Sequence, residues 1–224
     1  MINSIFEDLF KRYQCLESCR NDIYSAFEIF RNCYDKGGKI LCCGNGGSAA
    51  DCDHFVGELM KGFLKKRPLS EKEKELFDDK YIADNLQKGL PAISLCSHSA
   101  LMTAFENDVA PSLVFAQQVY AFAKLNDTLL CFSTSGNSEN IVYAAKAAKA
   151  AGIKSIAITG EKESKLSEIC DICIKLPETK TFKVQELTLP VYHCLAAMLE
   201  ENYFDQSWIK DLFFRISQKE QKQV

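Results

Sequence analysis

The chain has 224 residues, 47% hydrophobic and 25% charged, the balance of an ordinary globular protein, which excludes intrinsic disorder as its main description. Its 27 Lys and Arg against 30 Asp and Glu leave a net charge of −3, so it has no basic field of the kind that gathers phosphates along DNA or RNA. No apolar run approaches the ~18 residues that span a bilayer, and neither nucleic acid nor membrane is an expected partner.

At roughly 150 residues per domain the length allows one or two domains, and a single compact one is expected. Met1 to Phe10 carries Glu7 and Asp8 before any basic residue, unlike an export signal, which predicts a cytoplasmic location. Eleven cysteines make an odd number in a long chain, so most read as reduced, buried small hydrophobes. Cys170 and Cys173 form a lone C-x-x-C, which without a second pair or a thioredoxin pattern reads as chance spacing.

Up to Lys36, apolar residues at helical spacing (Ile5, Leu9, Phe10, then Ile23, Phe27, Phe30) predict N-terminal helical structure that stops at Gly37-Gly38. Short apolar runs follow at Ile40–Cys43, Ala92–Leu95, Leu129–Phe132, Ile156–Ile158 and Ile172–Ile174. Helical patterns separate them around Ser48–Met60, Leu113–Phe122 and Asn140–Ala151, and a long one follows at Val184–Phe204. This alternation predicts an α/β three-layer sandwich on a five-stranded parallel sheet. Residues 61–88, rich in Lys, Glu and Asp around Arg67-Pro68, read as a solvated surface insertion with a short helix. Trp208–Ile216 reads as an amphipathic terminal helix.

Gly44-Asn45-Gly46-Gly47-Ser48-Ala49 follows the first strand and opens a helix, a place where backbone N–H groups hold an anion. It also fits G-x-G-x-x-A, but a dinucleotide site wants an acidic residue ending the next strand about twenty residues on, where the charged insertion lies instead. Ser133-Thr134-Ser135-Gly136-Asn137-Ser138 repeats the arrangement after the third strand. It reads either as a neutral phosphate cradle, free of competing carboxylates until Glu139, or as an N-cap with a polar turn. His54 and Glu58, four apart, project from one helix face and suit a shared metal or substrate, although spacing alone favours a polar pair. His98 falls just after the second strand and His193 in the long late helix.

Taken together, Gly44-Asn45-Gly46-Gly47-Ser48, His54-Phe55 with Glu58, the Ser133–Ser138 loop, and Val184-Gln185-Glu186 followed by His193 resemble the sugar isomerase (SIS) domain, and within it the phosphoheptose isomerases. The resemblance runs over about residues 39–204. It implies a flavodoxin-like SIS fold and a homotetramer with sites between subunits. It also implies conversion of sedoheptulose 7-phosphate into D-glycero-D-manno-heptose 7-phosphate, with one zinc per site. Carried over by position, His54, Glu58, Gln185 and His193 would bind the metal, and Asn45, Gly46, Gly47, Ser133, Thr134, Ser135 and Ser138, with Glu58 and Gln185, the substrate.

This chain departs from the family in two places. Ser97-His98-Ser99 stands where the family commonly has an Asp, which makes Ser97 and His98 candidate substrate contacts, and the insertion is longer than the family's. A second branch binds a bacterial replication initiator without catalysis and lacks counterparts of Glu58 and His193. A non-catalytic phosphosugar-binding or initiator-binding protein is therefore the alternative. Isomerisation needs a base near carbon and an acid near oxygen; Glu58 is assigned as the base and His193 as the acid, with the reverse assignment the alternative. Gln185 and His193, eight residues apart, would stand roughly 12 Å apart along a regular helix. Either Pro190 interrupts that helix or the site is shared between subunits.

Overall fold

The computed structural model describes residues 1–204, so the expected terminal helix at Trp208–Ile216 lies outside the described residues. In chain order the elements are α1 (Ile2–Arg12), α2 (Arg20–Asp35), β1 (Ile40–Gly44), α3 (Gly47–Met60), α4 (Glu71–Lys74), α5 (Lys80–Asn85) and β2 (Ala92–Ser94), then α6 (Ser99–Asp108), α7 (Val114–Phe122) and β3 (Thr128–Phe132). They continue with α8 (Glu139–Ala150), β4 (Lys154–Gly160), α9 (Lys165–Ile169), β5 (Ile172–Leu176) and α10 (Thr181–Phe204). The five strands form one all-parallel sheet in the order β2-β1-β3-β4-β5.

The central strands are apolar on both faces, as a sheet covered by helices on both sides requires. Ile40, Cys42, Leu130 and Phe132 enter one core with α1, α2, α3 and α10. Leu41, Cys43, Leu129 and Cys131 enter the other with α7 and α8. Each fully buried Leu, Ile or Phe contributes about 1.5–3 kcal/mol, so these alternating strand residues bind the three layers together. Seven of the eleven cysteines are buried and all are free thiols. Cys170 and Cys173 are among these free thiols and are both half-buried.

The expected strands and long helices are all present. α6 and α9 were not foreseen: α6 buries no residue fully and α9 has only five, so neither leaves much apolar periodicity to read.

The insertion folds differently from the solvated segment expected. It contains two short helices, and Arg67 at its centre is completely buried. The guanidinium donates to Glu200 on α10 and to the backbone oxygens of Glu58 and Leu59, capping the end of α3. Charge along a sequence does not reveal a partner 133 residues away.

Candidate active site

Strand order reverses between β1 and β3, so the loops leaving their C-terminal ends part to opposite faces and open a crevice there, where open α/β sheets bind ligands. The two glycine- and serine-rich loops are those two loops. They are tied by a reciprocal amide pair, Asn45 with Asn140, at 2.9 Å in each direction. Asn140 escaped the sequence reading because it lies past the Ser133–Ser138 loop, in the first turn of α8.

In the second loop, Ser138 is the N-cap of α8 but makes no side-chain cap bond. Its hydroxyl meets that of the buried Ser133 at 3.4 Å. The Ser135 hydroxyl accepts from the Asn137 N–H at 3.1 Å. Gly136 has φ +65°, and a β-carbon there would lie 2.1 Å from Ser164 Oγ, so the tight turn admits only glycine. The loop itself carries no carboxylate before Glu139, but the fold brings charged residues from elsewhere in the chain up to it. A cavity of about 250 Å³ beside Thr134 and Ser135 is lined by Glu161, Lys162, Glu163 and Glu178, brought there by the ends of β4 and β5, with Glu163 paired to Lys175 and Glu178 to Lys183.

The first loop opens α3, which runs alongside α10 in the same direction. At its start a β-carbon on Gly47 would come within 2.6 Å of Gln185 Nε2, so the glycine is what lets α10 pack close. Seven residues on, His54 Nε2 meets Glu58 Oε1 at 3.1 Å. The ring of His193 stands edge-on to that of His54, centroids 4.9 Å apart. His193 Nε2 is buried without a partner. Burial, aided by the nearby His54 and opposed by Glu58, holds the His193 imidazole below the usual histidine range, in its neutral form. Phe63 from the insertion covers this ring at 5.4 Å, and a cavity of about 430 Å³ beside it is walled by Asp8, Arg12 and Pro190.

His54, Glu58 and His193 thus share one corner within a single chain, whereas Gln185 lies against Gly47, roughly 10 Å away along α3. α10 continues as helix through Pro190, so an interruption there does not bring Gln185 to His193. Ser97 donates to Asp53 at 2.7 Å, and His98 Nδ1 pairs with Gln118 Oε1 at 2.8 Å while its ring packs on Phe122.

Two residues of this corner carried no signal in the sequence. The Tyr192 hydroxyl lies 2.9 Å from His54 Nδ1, and Asp51 borders the same hydroxyl. Burial, reinforced by the Asp51 charge, raises the Tyr192 hydroxyl well above the usual phenol range, and burial also raises the Asp51 carboxyl.

Two imidazoles and a carboxylate are a donor set suited to a divalent ion such as zinc, and the orphaned His193 Nε2 is the observation that makes these residues fit one. Among the described residues, however, no group of three or more His, Cys, Asp or Glu is arranged to hold a metal ion as it stands.

Comparison with known proteins follows the same lines. The SIS domain signature matches residues 8–160. The chain is 34% identical over 186 residues to the phosphoheptose isomerase of Rhodospirillum rubrum, covering 83% of this chain and 88% of that protein. It is 40% identical over 163 residues to the phosphoheptose isomerase of Thiobacillus denitrificans, covering 71% and 73%. The solved structure of a phosphoheptose isomerase from Francisella tularensis superposes with a TM-score of 0.72 at 31% identity, over 89% of this chain and 96% of that one.

Proposed function

The chain belongs to the SIS domain family, with the phosphoheptose isomerases, and from that premise we propose that it interconverts sedoheptulose 7-phosphate and D-glycero-D-manno-heptose 7-phosphate through an enediol. The observation that carries the proposal is the meeting of Glu58 and His193 around His54 in one corner, beside the crevice between the two loops.

A ketose becomes an aldose when a proton leaves C1 and another arrives at C2 while the carbonyl moves between them. Glu58 is assigned the proton removal at carbon. Glu58 returns the proton to C2, and His193, neutral because it is buried, gives its N–H proton to O2 and regains one from O1, so that both groups end as they began, each acting through an atom that the metal would leave free. Ser133 and Ser138, with the backbone N–H groups that open α8, hold the phosphate, and Asn45 to Gly47 line the sugar. His54, Glu58 and His193, with Gln185, are the residues assigned to zinc. When bound, the ion supplies a Lewis acid that polarises the carbonyl oxygen. Neutral surroundings suit the phosphate because hydrogen bonds to a charged group contribute about 1.5–3 kcal/mol each. We further infer a homotetramer and a cytoplasmic enzyme. Among the described residues no helix is long and apolar enough to cross a membrane.

The test is turnover of sedoheptulose 7-phosphate by the purified protein in D₂O, with metal content measured on protein never exposed to chelator. Deuterium on C2 of the aldose, lost in Glu58→Gln, is the expected result. Binding of the sugar phosphate without turnover, at any zinc content, would instead favour a non-catalytic phosphosugar-binding protein.

A further inference from the structure

Tyr192 is 1% exposed and wedged among the rings of His54, Phe55 and Phe132, with centroids 5.5, 6.0 and 5.9 Å away. A phenol this deep needs a partner for its hydroxyl. It has two candidates, His54 Nδ1 at 2.9 Å and the half-buried carboxyl of Asp51, three residues before His54 on α3. Their chemistry orders the bonds. A neutral imidazole whose Nε2 gives its electron pair to a cation carries its one proton on Nδ1, which then donates to the Tyr192 oxygen at 2.9 Å and leaves the phenol proton to the neighbouring Asp51. The imidazole is then held at one nitrogen and turned so that the other, Nε2, faces Glu58 Oε1 at 3.1 Å.

We propose that Tyr192, with Asp51 behind it, is a positioning residue for His54: it keeps the ring proton on Nδ1 and leaves Nε2 to give its electron pair to a cation shared with Glu58. Imidazoles that bind metal are commonly oriented in this way by an acceptor on the far nitrogen. Here the acceptor is a phenol backed by a carboxylate, and Tyr192 is also the chain neighbour of His193, so one residue of α10 sets both rings. The proposal rests on the reading of His54 as a metal ligand, and its test does not require turnover.

Tyr192→Phe keeps the ring and its packing and removes only the hydroxyl. Zinc affinity, measured with zinc alone by competition against a chelator, is expected to fall 10- to 100-fold. With ¹⁵N-labelled histidine, three residues in all, the zinc-loaded wild type should show a slowly exchanging Nδ1–H on His54 that Tyr192→Phe loses to solvent exchange. Asp51→Asn, which leaves the phenol in place, is expected to weaken zinc in the same direction by at least threefold, and carries the test if Tyr192→Phe does not fold. Zinc affinity within twofold of wild type and a retained Nδ1–H signal in the variants would overturn the proposal. Wild type that binds no zinc would overturn it together with the metal assignment. Wild type that shows the expected zinc and proton behaviour but does not turn over sedoheptulose 7-phosphate would sink the isomerase reading and leave the role of Tyr192 standing.

Discussion

Arg67 and Glu200 form an ion pair from which water is excluded: Arg67 Nε donates to Glu200 Oε1 at 2.8 Å, with side-chain exposures of 0% and 1%. Such a pair withstands its desolvation cost only when the remaining donors and acceptors are also met. They are met here. Glu200 also accepts the N–H groups of Phe63, Leu64 and Lys65, and Arg67 also donates to the carbonyls of Leu59 and Glu58 and lies over the Phe204 ring. The pair therefore fixes the end of α3 that carries Glu58 and the loop that sets Phe63 on His193.

Glu200→Ala leaves a buried guanidinium and three backbone N–H groups without an acceptor. A loss of about 3–5 kcal/mol is expected, read as a lower urea midpoint with an unchanged slope. Glu200→Gln keeps an acceptor oxygen and should cost less. A loss below about 1 kcal/mol in Glu200→Ala would mean that water enters the site and that the loop is not anchored by this pair.

The cradle makes a second prediction. Ser138 makes no side-chain cap bond to α8, so Ser138→Ala should cost the helix little while removing a donor to the phosphate. Weakening of sugar phosphates by roughly 10- to 100-fold follows from about 1.5–3 kcal/mol per hydrogen bond to a charged group. Ser135→Ala should act in the same sense with an added local loosening, since the Asn137 N–H loses its acceptor. Binding of phosphorylated and unphosphorylated sugars measured by calorimetry decides the matter. An equal loss for both would return the loop to the role of a polar turn.

How far the sequence could be read depends on the range of the interactions concerned. The sheet was legible because each strand announces itself locally, as a short Ile-, Leu- and Cys-rich run between helical patterns. The corner of His54, Glu58 and His193 was legible only in part. Spacing put His54 and Glu58 on one face, and resemblance supplied His193, but the separation of Gln185 from that corner depends on how α3 and α10 lie against each other. Tyr192 and Arg67 were missed for a common reason: each owes its role to partners more than 130 residues distant, as in the 138-residue separation of Tyr192 from His54. The charged wall beside Ser135 was missed likewise, because Glu161, Lys162, Glu163 and Glu178 reach it only through the order of β3, β4 and β5.

Thiol chemistry offers a third check. Cys96 is only half-buried, and its thiol is lowered from the usual cysteine value, chiefly by its hydrogen bond with Cys52. Burial pushes the thiols of Cys42 and Cys52 well up. Since the thiolate is the nucleophile, iodoacetamide should modify Cys96 and the exposed Cys15 in the native protein and spare Cys42, Cys43, Cys52 and Cys131 until it unfolds. Peptide mass analysis along a time course reads this order. Early labelling of Cys42 or Cys131 would show that the sheet opens far more readily than its packing implies.

The last prediction concerns which subunit completes each site. The eight-residue step from Gln185 to His193 led to the expectation that the helix breaks at Pro190 or that the site is shared between subunits, with at least one of Glu58 and His193 supplied across an interface. Within one chain both residues border the same His54, and Glu58 lies close enough for its charge to act on His193. Mixing the inactive variants Glu58→Ala and His193→Ala under conditions of demonstrated subunit exchange should therefore restore no activity, because every site in the mixture lacks one of the two. If sites were built across an interface, random exchange would give intact pairs at about a quarter of them, and a comparable fraction of wild-type turnover would appear. Gln185 is the residue left out of the corner, so the informative partner mixture is Glu58→Ala with Gln185→Ala. Recovery in that mixture alone would place Gln185 in the neighbouring subunit's site. Recovery in the first mixture would overturn the assignment of Glu58 and His193 to one chain.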